Sequence, residues 1–159
     1  MRERFPGGSR LRALLAAAAA RRAGEGGAGA APAPGARPGR GLPSPLHLAY
    51  LGDAVWELHV RTRLVASGAE KLADIHRQAV NEVRAAAQAD RLRQIEADLT
   101  EEERDMVRRG RNASPQGPRS AAPADYRWST GFECLLGYLY WTGQGARLQE
   151  LLERMSGQE

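Results

Sequence analysis

From Ser44 onward the apolar positions recur at helical spacing, and capping residues punctuate them. Ser44 followed by Pro45 forms an N-cap and first-turn pair for a helix running to about Val65, where Ser67-Gly68 stops it. A second helical stretch covers "AEKLADIHRQAV", and Asn81 stands where it can cap a third, "EVRAAAQADRLRQIEAD". Thr100 with Glu103 makes a capping box ahead of "EERDMVRRG", with Gly110 as the stop. The Pro, Gly and Ser content of "RNASPQGPRSAAPAD" predicts a loop long enough that a compact domain keeps it for function or leaves it mobile. Two more helices follow, from about Tyr126 to Thr142 and from about Ala146 to Met155. Nothing alternates with the two-residue period of strands over a useful length, so the expected fold class is all-α.

The first helix carries the most informative pattern. In "LAYLGDAVWELHV" an aspartate, Asp53, follows Gly52 in an otherwise apolar run. Projected at about 100° per residue, it falls between Val60 on one side and Leu46 and Leu64 on the other. Leu48, Leu51, Val55 and Leu58 form an opposite, wider stripe. A helix with two apolar faces is expected to bury one against its own domain and the other against a second surface, such as another subunit. An unpartnered carboxylate enclosed there costs several kcal/mol. The alternative is a solvated Asp53 on a narrow polar strip with Glu57 and Arg61.

A second helix repeats the anomaly. In "RWSTGFECLLGYLYWTG" Glu133 is the one charged side chain from Trp128 to Thr142, with Gly137 one turn on. Thr130 and Glu133 also have capping-box spacing, which makes a structural helix start the competing reading. If the two helices pack together, the carboxylates of Asp53 and Glu133 converge on a hard divalent cation such as Mg²⁺, which takes oxygen ligands and keeps several waters. A cation there can assist attack on a phosphodiester and stabilise the leaving oxygen.

Composition changes this picture at three points. The 159 residues fit one compact domain and an appendage. No apolar run reaches the roughly 18 residues of a membrane span, and a single cysteine, Cys134, excludes an internal disulfide framework, so a soluble protein in a reducing, cytoplasmic setting is expected. The net charge of +4 is unevenly placed: residues 1–40 hold eight arginines against Glu3 and Glu25, while the remainder is slightly acidic. Residues 1–41, rich in Ala, Gly, Pro and Arg, are expected to be a disordered leader, a transit peptide being the alternative; residues 42–159 form the domain.

"LAYLGDAVWELHVR" together with "YRWSTGFECLLGYLY" resembles the two signature helices of ribonuclease III catalytic domains. With "RRGRNAS" and "YRWSTGFE" between and within them, the chain is most similar to the Mini form of that family, which consists of the catalytic domain alone. The resemblance covers about Leu46 to Leu152. It implies an all-α homodimeric endoribonuclease that cuts double-stranded RNA with Mg²⁺, with the signature helix near the dimer interface. By position it makes Asp53 and Glu133 the catalytic metal ligands. Full-length family members carry two further acidic residues, at positions that align with Ala49 and Thr130, where this chain has no carboxylate; the Mini form departs similarly.

With no RNA-binding domain after the catalytic region, RNA recognition is expected from the domain itself. The strongest patch is Arg108, Arg109 and Arg111 with Asn112 and Arg119, in and before the long loop; Lys71, Arg77 and Arg84 are weaker candidates. Such residues contact phosphates and 2′-hydroxyls, because duplex RNA is recognised mainly by shape. Against this, each arginine alone is better explained by a solvated helix end, and it is the cluster that points to RNA. His47, His59 and His76 lack metalloprotease spacing and are assigned to surface or packing, Cys134 to the core, and Trp56, Trp128, Tyr138, Tyr140 and Trp141 to core or dimer contacts. Two functions remain: a Mg²⁺-dependent endoribonuclease that trims a stem of precursor 23S ribosomal RNA, or a catalytically silent helical module that binds RNA, a ribosomal protein or the assembling subunit.

Overall fold

The computed structural model describes residues 41–68, 71–117, 119 and 121–156; residues 1–40 of the expected leader lie outside them. Among these residues six helices follow in order: α1 (Pro45–Ala66), α2 (Leu72–Val83), α3 (Ala85–Ile95), α4 (Glu101–Ala113), α5 (Pro123–Trp141) and α6 (Gly145–Ser156), with a 3₁₀ turn at Glu96–Asp98. No strand occurs among the described residues. Ser44 caps α1 through its side chain, and Thr100 and Glu103 make the reciprocal capping box of α4.

The centre of the fold is α5. From Ser129 to Leu139 every residue except Glu133 is buried, because α1, α3, α4 and α6 all pack on this helix. That enclosure accounts for a helix without charge over so long a run. Trp56 and Phe132, both fully buried, meet edge to face at 5.2 Å and join α1 to α5. His59 stacks on Trp56 and pairs with Ser156 Oγ at 2.7 Å, fixing α6. Trp56 and Tyr138 belong to the core, with Trp128, Tyr140 and Trp141 packed at its edge. His47 sits at the α1 cap beside Ser44, and His76 is exposed.

Four local expectations need correction. Asn81 does not cap a third helix: it is exposed inside α2, and the break falls at Arg84, whose backbone is extended. The break has a tertiary cause. The carbonyl of Glu82 accepts from the Trp56 indole at 3.3 Å, while the Glu82 carboxylate pairs with Arg63 and Arg91. Gly110 does not end α4, which continues to Ala113; it is buried where α4 crosses α5, and an added Cβ would lie 2.6 Å from that of Cys134. The connection to α5 is consequently shorter than the expected 111–125. Finally, α5 starts at Pro123, so Thr130 and Glu133 lie mid-helix and form no capping box.

The two stripes of α1 divide differently from the projection. The buried face centres on Gly52 and Trp56 and takes in Leu48 and Val55 from one stripe and Val60 and Leu64 from the other. Leu46, Tyr50, Leu58 and Val65 are exposed on the remaining face, which they share with the Glu57–Arg61 pair, Tyr50 being 85% exposed. Leu51 and Asp53 flank the buried face, each partly covered.

Candidate active site

Helices α1 and α5 cross in close contact at two glycines. A Cβ on Gly52 would stand 1.7 Å from the carbonyl oxygen of Glu133, and one on Gly137 would stand 1.9 Å from that of Leu48. Backbone therefore lies directly on backbone, which glycine alone permits. The consequence is chemical: Asp53 and Glu133 flank this contact, and the Asp53 charge is felt at Glu133.

Burial pushes the Glu133 carboxyl up to about 8, with the Asp53 charge as the second cause and the Gln88 side chain acting weakly the other way. Asp53 is raised too, first by burial, then by Glu57, with Arg61 opposing. Glu57 and Arg61 pair with each other at 2.6 Å, so the polar strip exists, and Asp53 stands at its inner margin. Two carboxylates forced together in a half-dry setting favour a cation between them. Both are hard oxygen donors of the kind Mg²⁺ takes. Ala49 is buried without polar function, and the Thr130 hydroxyl is committed to the Tyr126 carbonyl and Ser114 Oγ, each at 3.0 Å. Among the described residues no third acidic, histidine or cysteine side chain joins the pair.

Glu133 also lines a cleft of about 490 Å³ with Val83, Arg84, Gln88, Asp125 and Ser129. Gln88, Asp125 and Ser129 carried no motif that pointed to a site. The placement of Gln88 depends on the break at Arg84, which no glycine or proline marks.

The expected RNA patch is split. Arg108, Arg109, Arg111 and Asn112 lie on the last turns of α4, not in a loop. Arg108 and Arg109, both exposed, share Asp105, Arg109 at 2.7 Å. Arg111 instead lies 4.0 Å over the Trp128 ring with its Nε buried, so part of its role is packing. Asn112 is exposed at the end of α4 and Arg119 is exposed in the connection. Lys71 is exposed at the start of α2, Arg77 pairs with Asp74, and Arg84 is exposed at the α2–α3 break. Cys134 is buried, its thiol pushed up to about 11 mainly by burial.

Glu133 gives a pH signature to the metal-free chain. Its folded value near 8 lies above the ordinary 4.5, so the folded state holds a proton that the unfolded state has released, and stability falls as pH rises toward 8. His59, lowered by burial from 6.5 to about 4, works in the opposite sense below 6.5. The clear window is therefore pH 6.5 to 8. Melting in chelator across it should show a falling midpoint in the wild type and a flatter one in Glu133→Gln; equal slopes would contradict the burial of this carboxyl.

The ribonuclease III domain family matches residues 46–144, and so spans both site helices. The chain is 54% identical over 110 residues to Mini-ribonuclease 3 of Symbiobacterium thermophilum, covering 69% of this chain and 85% of that protein. It is 47% identical over 111 residues to Mini-ribonuclease 3 of a Thermoanaerobacter species, covering 69% and 78%. A crystal structure of a Fusobacterium nucleatum protein superposes with a TM-score of 0.64 at 28% identity, over 69% of this chain and 88% of that one. A family match across the carboxylate-bearing crossing, joined to relatives of this similarity, establishes that the chain belongs to the ribonuclease III family, in its Mini-ribonuclease III branch, and is an endoribonuclease of that family.

Proposed function

We propose that the chain hydrolyses double-stranded RNA with Mg²⁺ held by Asp53 and Glu133, and that its biological substrate is a stem in precursor 23S ribosomal RNA. The observation that carries the site is the Gly52–Gly137 crossing, which forces the two carboxylates together where burial raises them both. Bound there, Mg²⁺ supplies Lewis-acid stabilisation to the phosphodiester and its leaving oxygen. The protein supplies a rigid frame: α5, buried on all sides, keeps Glu133 from moving relative to Asp53.

The exposed apolar side chains Leu46, Tyr50, Leu58 and Val65 on α1 support a homodimer joined through this helix. In that arrangement both apolar faces of the helix are covered. Work in the cytoplasm on ribosomal precursors follows from the same reading. Incubating duplex and single-stranded RNA of one sequence with and without Mg²⁺ tests the proposal. Cutting of the duplex alone, and only with metal, is the expected result; metal-independent cutting or equal cutting of both strands' forms would overturn it.

Arg108 and Arg109 are the best-placed duplex contacts of the α4 end, being exposed and sharing a single counter-charge. Replacing both by alanine should weaken duplex binding and lower the salt slope by roughly one to two counterions. Arg111→Ala should instead lower the melting temperature, because it removes the cover of Trp128. An unchanged salt slope in the double variant would remove this helix end from the RNA surface.

A further inference from the structure

The cleft beside Glu133 presents several unpartnered donors. Helix α3 starts directly after the extended Arg84, with no side-chain cap and no acidic residue in its first turn. Its first backbone hydrogen bond is from the Gln88 amide to the Arg84 carbonyl at 3.1 Å, which leaves the N–H groups of Ala85, Ala86 and Ala87 without helical partners. Gln88, only 1% exposed, has a buried side-chain amide nitrogen that completes no hydrogen bond, although it lies near enough to the Glu133 carboxyl to lower it. A buried donor left in that state carries a cost that a bound acceptor would relieve. Arg84 pairs with no carboxylate among the described residues. Arg84, Ala85, Ala86 and Gln88 line the same cleft as Glu133.

The cleft's other carboxylate is already neutralised, since Asp125 pairs with Arg93 at 3.0 Å. What the site lacks is an anion rich in acceptors. Helix N-termini favour such groups through their free N–H donors and the helix dipole, and a guanidinium matches a phosphate's oxygens.

We propose that the first turn of α3, with Arg84 and Gln88, seats a backbone phosphate of the RNA strand that is cut at Glu133. The inference rests on the nuclease reading above and adds to it a second anchor for the strand. Arg84 supplies the charge at the mouth of the cleft, and Gln88 supplies a fixed donor at its floor. The seat sets where the strand lies relative to the carboxylate pair without taking part in bond cleavage.

The test uses the full 159-residue chain and a short RNA duplex, with binding measured across a salt series in chelator and cleavage measured with Mg²⁺. Arg84→Gln should bind about tenfold more weakly, with a salt slope smaller by about one. Gln88→Leu should also bind about tenfold more weakly with the slope kept, because no charge is lost, and should melt at or above the wild-type temperature once the unpartnered amide is gone. For both, KM should rise by a larger factor than kcat falls. Gln88→Asn should recover part of the loss. Mn²⁺ affinity, followed by electron paramagnetic resonance without RNA, should stay as in the wild type. Unchanged duplex affinity in both variants, beside a wild type that binds and cuts, would overturn the seat alone. So would a Gln88→Leu chain that loses Mn²⁺ affinity but keeps duplex affinity, since the amide would then serve Glu133. A wild type that neither binds nor cuts duplex RNA would overturn the nuclease reading and the seat with it.

Discussion

Asp53→Asn and Glu133→Gln are each expected to reduce cutting of duplex RNA by at least about a thousandfold, the scale on which losing one group that stabilises a transition state acts. The fold should survive, because both changes nearly keep shape. In Glu133→Gln the midpoint should even rise above pH 7 or so, since a buried carboxyl that burial and Asp53 both disfavour as an anion becomes a neutral amide. Cleavage assays paired with thermal melts separate chemistry from folding. Wild-type rates in either variant would remove that residue from the site, whereas loss of activity together with a collapsed melt would show only that the helix crossing had failed.

The second large effect lies in the crossing itself. Gly52→Ala or Gly137→Ala would drive a methyl group to within 1.7 or 1.9 Å of a facing carbonyl oxygen, and neither partner is a side chain that can turn away. The helices must separate, at a cost of at least about 3 kcal/mol, beyond ordinary overpacking. That corresponds to a midpoint lowered by more than about 10 °C in a domain of this size. Cutting should fall with it even at temperatures where the variant stays folded, because separation of the helices draws the carboxylates apart. Gly41→Ala, where nothing lies within 4 Å, serves as the control and should melt as the wild type does. A Gly52→Ala chain of unaltered midpoint would mean that α1 and α5 do not cross in contact.

Much of this arrangement was legible in the chain. The caps at Ser44 and Thr100 are local chemistry, and both helices start where those residues predict. One carboxylate beside a small residue on each of two nearly apolar helices singled out Asp53 and Glu133 on the condition that the helices pack together, and in the structure α1 and α5 do cross beside them. The break at Arg84 was not legible, because its cause is the Trp56 indole and two arginines that reach Glu82 from other parts of the sequence. Gln88 was hidden for the same reason: inside a continuous helix it is one polar residue among alanines, and only at the start of a new helix does it face a cleft. Gly110 misled in the opposite direction. A glycine near a helix end resembles a stop, yet here it is the contact that lets α4 lie against α5. Arg111 looked like a phosphate ligand in sequence because nothing near it announced that Trp128 lies beneath its guanidinium.

The measurement that bears most directly on the carboxylate pair as a metal centre is anomalous diffraction from crystals of the chain soaked in Mn²⁺. A peak in coordination contact with carboxylate oxygens of both Asp53 and Glu133 is the predicted result. A peak that touches neither residue, or no peak in crystals of a chain that cuts duplex RNA with the same metal in solution, would contradict it.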